Sequence, residues 1–173
     1  MLTVDFSRFP LAAGDRVLDL GCGAGVPTAR LLVEHGFRVT GIDISAIQIE
    51  RAKRLVPSAV FLQADMAAWD TDAHSFEAIV SLYALIHVPL ADQQQLIPRL
   101  ARWLTPGGLL LAIVGHERWT GTEDYFGAEM FWDHADVETY KTWLREAGFT
   151  VEWDRFIPEG SSGHSLVLAR TTE

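Results

Sequence analysis

An apolar run that ends in a glycine-rich turn constrains the fold of this chain more than any other feature. Residues 17–25 read VLDLGCGAG, and a helical pattern follows them. A second apolar run ends at Asp43, 22 positions after Gly21. Glycines let a backbone turn sharply and approach a ligand, and a carboxylate after the next strand accepts hydrogen bonds from ribose hydroxyls. The layout therefore predicts a strand–turn–helix unit with a nucleotide-type cofactor site.

The details of the turn indicate which cofactor fits. Its spacing is G-x-G-x-G, and Val26 stands where a dinucleotide site would have its third glycine. Asp19 lies two positions before the turn, where a carboxylate would repel a pyrophosphate and attract an ammonium group. S-adenosylmethionine has no phosphates and carries an amino-acid group and a sulfonium. The turn therefore favours this cofactor, and a NAD(P)-dependent oxidoreductase is the less favoured alternative.

Several segments together resemble class I S-adenosylmethionine-dependent methyltransferases. They are VLDLGCGAG (17–25), GIDIS (41–45), LQADM (62–66), FEAIVSLYALIHVP (76–89) and LTPGGLLLAIV (104–114). They occur in the family's order and spacing, and residues 130–149 resemble a bacterial small-molecule-type subgroup. The resemblance implies a Rossmann-like, doubly wound, mostly parallel seven-stranded sheet of order 3-2-1-4-5-7-6.

Hydrophobic patterning alone also predicts an α/β fold, because strand-like runs alternate with helical patterns. We expect one domain over residues 1–173, with helices on both faces of the sheet and an antiparallel last strand. Strands are predicted at 16–20, 38–42, 60–63, 78–82, 109–114, 150–156 and 165–169. Helices are predicted from 26–27 to Gly36, from Ser45 onward, through 95–104 and over 137–147.

Local signals add finer expectations. Pro27 suits the first turn of a helix, and Ser45 with Gln48 forms a capping-box pattern. Pro98 should kink or split its helix. Residues 106–108 should form a turn, and residues 116–134 an irregular aromatic insert. Residues 1–15 form a short segment that either folds over the site or leaves it open; its apolar residues are Phe6, Phe9, Pro10 and Leu11.

Composition excludes several other classes of protein. The net charge of −9 argues against a nucleic-acid surface, and apolar runs of about ten residues are too short to span a bilayer. No signal-peptide pattern is visible, and the lone Cys22 predicts a reducing, cytoplasmic location. The expected partner is a small molecule, with no nucleic acid or membrane, for a monomer or homodimer.

The resemblance implies a cofactor site at the carboxyl ends of the strands. Asp19 would lie near the methionine amino group, and Asp43 would bind the ribose. Asp65 would accept from the adenine amine while the backbone of Met66 reads a ring nitrogen. Cys22 fills the turn and is not a nucleophile, because no basic residue is adjacent to it. The complete predicted set is Asp19, Gly21, Cys22, Gly23, Asp43, Ile44, Asp65, Met66, Ser81, Leu82 and Tyr83.

For the residues that would contact the methyl acceptor, the sequence leaves several alternatives open. His87 follows strand four and is the candidate general base, although it could instead orient its loop or contact the cofactor. The aromatic insert lines an acceptor pocket, packs as core or forms a dimer contact. Predicted acceptor-site residues are His116, Trp119, Tyr125, Trp132 and His134, whereas surface positions are predicted for His35, His74 and His164.

The sequence thus predicts direct methyl transfer from S-adenosylmethionine to a small apolar or aromatic acceptor. Alignment of donor and acceptor supplies most of the rate in such a displacement. No metal is expected, because no ligand cluster has metal-site spacing. The alternative from another class is a non-catalytic S-adenosylmethionine-binding or assembly protein.

Overall fold

A seven-stranded sheet organises the protein in this computed structural model, which describes residues 9–125 and 127–172. Its strands are β1 (Arg16–Leu20), β2 (Arg38–Asp43), β3 (Val60–Gln63), β4 (Phe76–Ser81), β5 (Leu104–Gly115), β8 (Phe149–Glu159) and β9 (Ser162–Thr171). The order across the sheet is β3-β2-β1-β4-β5-β9-β8. This confirms the predicted order, since β8 and β9 are the sixth and seventh strands of the sheet along the chain. The pairs among β1 to β5 are parallel, and β9 runs antiparallel to both of its neighbours, as predicted.

Helices cover both faces of this sheet. They are α1 (Thr28–Glu34), α2 (Ala46–Leu55), α3 (Leu90–Trp103) and α4 (Val137–Glu146). Successive strand residues point to opposite faces. Leu18 accordingly packs with Leu100 of α3 and Tyr140 of α4, while Val17 packs with Leu32 of α1 and Ala52 of α2. The parallel strands are therefore buried on both sides, with their carboxyl ends at one edge.

Side-chain caps start two of the helices, and the one at Ser45 is as predicted. The Ser45 Oγ accepts from the Gln48 N–H at 3.4 Å, and the Asp136 Oδ1 accepts from the Thr139 N–H at 3.0 Å. The capping box at α2 is only half formed, because the buried Gln48 Oε1 has no hydrogen-bond partner among the described residues. Pro27 is the N-cap residue of α1 rather than a residue of its first turn.

Of the two outcomes that the sequence predicts at Pro98, a kink or a split, the split does not occur, since α3 is continuous from Leu90 to Trp103. The lost backbone bond is offset by buried apolar side chains on the same helix, such as Leu96 and Leu100. Residues 106–108 are not a turn before β5 but a bulge within it. The Arg170 guanidinium donates to the Gly107 carbonyl at 3.0 Å and holds this bulge on the sheet.

The segment 116–134 is not irregular. It forms an antiparallel hairpin of β6 (Trp119–Tyr125) and β7 (Ala128–His134), with Gly121 opposite Trp132. Threonine and aromatic residues favour strands, and Gly127 adopts a positive φ of 81° at the turn. Phe126 lies outside the described residues. The hairpin contacts the 3₁₀ turn Leu85–His87 that follows β4, so it lies beside the carboxyl edge of the sheet.

The start of the described chain packs on the sheet rather than over its edge. Phe9 and Leu11 line a small apolar cavity with Val17, Leu32 and residues of β4, β5 and β9. The part of the predicted 1–15 segment that holds Phe6 lies outside the described residues. None of the described helices is both long enough and apolar enough to span a membrane.

Candidate cofactor and acceptor site

The glycine turn after β1 is tied to the end of β2 by backbone hydrogen bonds. The Gly21 and Cys22 N–H groups both donate to the Ile42 carbonyl at 2.9 Å. The Asp43 carboxylate then accepts from the Gly23 N–H at 2.9 Å with one oxygen and from the Ser45 N–H at 2.9 Å with the other. Asp43 thus fixes the turn against the start of α2, and both of its oxygens keep a further lone pair.

Glycine is needed at the first two glycine positions of the turn for different structural reasons. Gly21 has a φ of 81°, and a Cβ there would lie 2.2 Å from the Cβ of Ala84, so the loop after β4 packs directly on it. Gly23 has a φ of 51°, and a Cβ there would meet nothing within 4 Å. Gly21 is therefore required by packing and conformation, whereas the backbone at Gly23 faces open space that a ligand can occupy.

Asp19 is a buried carboxylate that forms no ion pair with the residues that the structure describes. Its side chain is 2% exposed, and its Oδ2 has no hydrogen-bond partner among the described residues. Burial, and secondarily the nearby Asp43 carboxylate, raises the pKa of Asp19 from an ordinary 3.8 to about 7. An uncompensated buried carboxylate costs free energy, and a cationic ligand group would offset that cost. The residues present therefore fit a protonated amine at this point.

Other residues of the predicted cofactor set lie around the same edge. Asp65 is exposed after β3, and its Oδ1 accepts from the Ala67 N–H at 2.9 Å. The Met66 Cε lies 3.2 Å from the Cβ position of Gly21, so this side chain borders the glycine turn. Ile44 is 69% exposed at the end of β2. These positions fit contacts to the flat rings and sugar of a nucleoside.

Two residues of the predicted cofactor set are buried and make structural contacts. The Ser81 Oγ is fully buried and donates to the Leu20 carbonyl at 3.0 Å, which ties β4 to β1. The Cys22 side chain is buried, and burial, followed by the Asp19 and Asp43 charges, raises the pKa of its thiol far above the ordinary range. The thiol therefore stays protonated at neutral pH, consistent with Cys22 having no nucleophilic role. Leu82 is half-buried against the core.

Aromatic and imidazole rings gather beside this crevice in a group called here the aromatic–histidine cluster. Trp132 lies at its centre, with ring centroids 4.3 Å from His87, 5.7 Å from His164 and 6.5 Å from Trp119. The His134 ring lies 5.5 Å from that of His164. The cluster joins β6 and β7 to the ends of β4 and β9, and it brings together the predicted acceptor-site residues Trp119, Trp132 and His134.

Two histidines of the aromatic–histidine cluster are held by main-chain carbonyls. The His87 Nδ1 lies 2.7 Å from the Phe131 carbonyl, and the His134 Nδ1 lies 2.8 Å from the Glu117 carbonyl. A carbonyl only accepts, so each Nδ1 carries the proton. Burial lowers the pKa of His87 and of His134, which keeps both rings neutral at neutral pH.

Polar contacts also fasten the hairpin to α3. The Leu90 N–H donates to the Asp133 Oδ2 at 2.7 Å, and the buried Gln93 side chain donates to the Asp133 carbonyl at 2.5 Å. Together with the contact between His87 and Phe131, these bonds hold the hairpin in a fixed position beside the crevice.

Sequence reasoning missed a carboxylate and an imidazole in the cluster. His164, expected on the surface, is only 7% exposed, and its Nδ1 lies 3.0 Å from the Glu159 Oε2. The Tyr83 hydroxyl donates to the Glu159 Oε1 at 2.5 Å. The signal was present, because His164 directly precedes the strand predicted at 165–169 to be antiparallel, and such a strand starts at the carboxyl edge of its parallel neighbours.

The remaining predicted residues lie elsewhere. The His116 Nδ1 contacts the Ser165 Oγ at 3.0 Å, and its ring packs on Phe156 with centroids 4.4 Å apart, away from Trp132. The side chain of Tyr125 lies outside the described residues. His35 and His74 are exposed, as predicted.

Comparison with known proteins identifies the family. A family described as a methyltransferase domain matches residues 17–108, more than half of the chain. A trans-aconitate 2-methyltransferase from Paracidovorax citrulli is 45% identical over 106 residues, which cover 60% of this chain and 40% of that protein. A 27-O-demethylrifamycin SV methyltransferase from Amycolatopsis mediterranei is 41% identical over 107 residues, covering 58% of this chain and 39% of that protein.

The fold comparison agrees with the sequence comparison. A SAM-dependent methyltransferase structure from Methanosarcina mazei superposes with a TM-score of 0.81 at 20% identity and covers 94% of each chain. The present chain spans about two fifths of the length of the two curated relatives named above. It belongs to the methyltransferase-domain family and has the class I S-adenosylmethionine-dependent methyltransferase fold.

Proposed function

We propose that this domain transfers a methyl group from S-adenosylmethionine to a small aromatic or apolar acceptor by direct displacement. The observation that carries the proposal is the buried Asp19 carboxylate, whose Oδ2 lacks a partner among the described residues at the ligand edge of the sheet. A cationic amino-acid group would satisfy it. When bound, the cofactor supplies an activated methyl group on a sulfonium leaving group.

The chain's own residues divide the work of binding this cofactor. Asp19 would hold the amino group, and the free lone pairs of Asp43 would accept from ribose hydroxyls. The backbone at Gly23 would allow close approach, and Asp65 with Met66 would contact the adenine. These residues bind and orient; alignment of the donor with the acceptor is then the main source of rate.

The oxidoreductase alternative fits this crevice poorly. A dinucleotide would bring its pyrophosphate to the glycine turn, close to the Asp19 carboxylate, where like charges repel. A thermal-shift experiment distinguishes a site for S-adenosylmethionine from a site for NAD. S-adenosylhomocysteine should raise the melting temperature, and NAD at the same concentration should not.

The acceptor is expected to be uncharged or weakly acidic. The Glu159 carboxylate contacts the aromatic–histidine cluster through His164, and it would repel a negatively charged acceptor. Trans-aconitate, the substrate in the name of one relative, is a tricarboxylate and would need cations to offset its desolvation. The aromatic rings instead offer apolar area and stacking surfaces for a flat acceptor.

Calorimetry with S-adenosylhomocysteine tests the cofactor site. Asp19→Asn removes a charge-assisted contact worth about 1.5–3 kcal/mol, so the affinity should fall roughly 10- to 150-fold. Asp72→Asn, an exposed carboxylate, is the matched control and should bind as the wild type does. Equal affinity of the Asp19 variant and the wild type would contradict the assignment.

Kinetics test the acceptor site. Methyl-donor consumption should be detectable with neutral phenols and other flat aromatics, and absent with trans-aconitate. Trp132→Ala should raise the KM for such an acceptor and leave the cofactor KM unchanged, because it removes acceptor contact area. Trp153→Ala, at a tryptophan 38% exposed on β8, is the control. Tight S-adenosylhomocysteine binding without turnover on any acceptor would favour the non-catalytic alternative.

A further inference from the structure

We propose that Glu159 and His164 form a proton-accepting dyad at this site, and that the acceptor therefore reacts through a hydroxyl or N–H group rather than a carboxylate. The proposal rests on the methyl-transfer function proposed above. It adds the residue that takes the acceptor's proton and the chemical class of the acceptor.

The hydrogen bonds fix the His164 tautomer. The Glu159 carboxylate receives the Tyr83 hydroxyl on one oxygen at 2.5 Å and faces the His164 Nδ1 with the other at 3.0 Å. A carboxylate oxygen accepts, so the Nδ1 of His164 is the protonated nitrogen. The Nε2 lone pair is then available, and it makes no hydrogen bond with any residue that the structure describes.

The position of His164 matches that of a residue which contacts the acceptor. His164 pairs with Gly115 at the carboxyl end of β5, and Tyr83 follows the carboxyl end of β4. Its ring stacks on Trp132 with an interplanar angle of 22° and keeps 10% of its side-chain surface exposed. Ligands of open α/β sheets bind at this edge, so the dyad lies on the side of the sheet where the cofactor and acceptor would bind.

His87 and His134 are less suited to this task. Each donates its Nδ1 proton to a main-chain carbonyl, whereas the Nδ1 of His164 faces a carboxylate that can stabilise an imidazolium. Burial and the neighbouring His164 also lower the pKa of both. The bond from His87 to Phe131 favours the loop-orienting role that the sequence left open for this residue.

The resulting step balances. As the acceptor oxygen or nitrogen bonds to the methyl carbon, it displaces the sulfur, which keeps the electron pair of the broken bond and becomes a neutral thioether. The acceptor's proton passes to the His164 Nε2. The imidazolium pairs with the Glu159 carboxylate and later releases the proton to water. A carboxylate acceptor has no proton to lose at neutral pH and would gain nothing from this dyad.

Nuclear magnetic resonance of the ring nitrogens tests the dyad without any acceptor. The wild-type protein should show His164 protonated at Nδ1, and Glu159→Ala should weaken this tautomer preference because it removes the acceptor of the Nδ1 proton. The titrating or charged groups that face this ring are Glu159, Tyr83, His87 and His134. A His164 protonated at Nε2 in the wild type would overturn the proposal.

Kinetics on two phenols provide the second test. The probes are 4-methylphenol, which is protonated at the assay pH, and 4-nitrophenol, which is largely ionised. His164→Asn keeps an N–H donor for Glu159 and should lower kcat on 4-methylphenol about 10²- to 10⁴-fold, with a much smaller loss on 4-nitrophenol. His35→Asn, an exposed histidine at the end of α1, is the control. Equal losses on both phenols would indicate a structural role only and would overturn the dyad.

The outcomes separate this proposal from the proposed function. Failure of the wild type to bind S-adenosylhomocysteine would contradict the methyltransferase proposal itself. Normal binding with unchanged kcat in His164→Asn would refute only the dyad. Binding with no methylation of either phenol, or methylation of trans-aconitate at a rate independent of His164, would refute the acceptor class.

Discussion

Asp19 should make the stability of this protein depend on pH in a direction opposite to that of most paired carboxylates. Its carboxyl group is 2% exposed, and its pKa is raised to about 7 by burial first and by Asp43 second. The folded state therefore binds a proton more tightly than the unfolded chain. Stabilisation from this proton is complete below the ordinary pKa of 3.8 and is lost as the pH rises through about 7.

The size of the effect follows from the same two values. A rise in the pKa from 3.8 to about 7 corresponds to about 4 kcal/mol, at about 1.4 kcal/mol for each tenfold change in proton affinity. Native domains are stable by only about 5–15 kcal/mol, so this is a large fraction. Asp19→Asn keeps the shape without the charge, and it should be more stable than the wild type at pH 8 by up to that amount.

Urea denaturation between pH 4.5 and 8.5, without ligand, measures the effect. The difference in unfolding free energy between Asp19→Asn and the wild type should grow through pH 5–7 and level off above pH 8. Asp72→Asn, at an exposed position, should track the wild type throughout. If the Asp19→Asn and wild-type curves stay parallel over this range, Asp19 does not titrate in it, and the argument from burial fails.

Two further predictions concern packing. Gly21→Ala should destabilise the fold by roughly 2–5 kcal/mol, because the cost of its positive φ and the cost of a Cβ that meets Ala84 at 2.2 Å add. Gly23→Ala should cost only about 1–2 kcal/mol yet weaken S-adenosylhomocysteine binding, and equal stability losses would contradict the different roles of these glycines. Tyr140→Phe removes the hydroxyl that donates to the buried Gln93 side chain, so urea denaturation should show a loss of roughly 1–3 kcal/mol, and an unchanged midpoint would show that another donor replaces it.

The sheet was predictable because local and global signals agree along it. Each parallel strand is a continuous apolar run buried on both faces, and glycines such as Gly36 and Gly148 follow the helices next to them. Predicted strand limits therefore differ from the observed ones by a few residues, except at β5, which begins earlier because Leu104 pairs with Phe76 of β4. The strands β8 and β9 extend past their apolar runs to Glu159 and Ser162 because they pair with each other there.

The hairpin was not predictable from patterning, since most of its stabilisation comes from elsewhere in the chain. Residues 119–134 mix charged and aromatic side chains without a clean alternation. Their order depends on anchors far away in sequence, such as the bond from the Leu90 N–H to Asp133 and the contact between His87 and Phe131. Tertiary contacts of this kind override local propensity.

The part of the site that was predictable consists of residues placed at the end of a single apolar strand. The Asp19 and Asp43 positions follow from the apolar runs that precede them. The pairing of Glu159 with His164 does not, because it depends on the turn between β8 and β9 and on Tyr83, 76 residues away from Glu159. Two polar residues beside a glycine-rich loop predict solvent exposure, and only the antiparallel return of β9 brings His164 against the Trp132 ring.

On the proposed function, Asp19 couples folding to ligand binding. A cationic amino group requires the ionised carboxylate, so cofactor binding below about pH 7 must release the proton that stabilises the ligand-free protein. The affinity for S-adenosylhomocysteine should therefore fall as the pH drops below 7, while the stability of the ligand-free protein rises. Above pH 7 the ligand-free crevice holds an unpaired buried charge, and the ammonium group removes that penalty on binding. The cost of the buried Asp19 charge in the ligand-free protein thus becomes part of the binding free energy of the cation. Asp19→Asn should therefore remove both the loss of stability above about pH 7 and the pH dependence of S-adenosylhomocysteine binding.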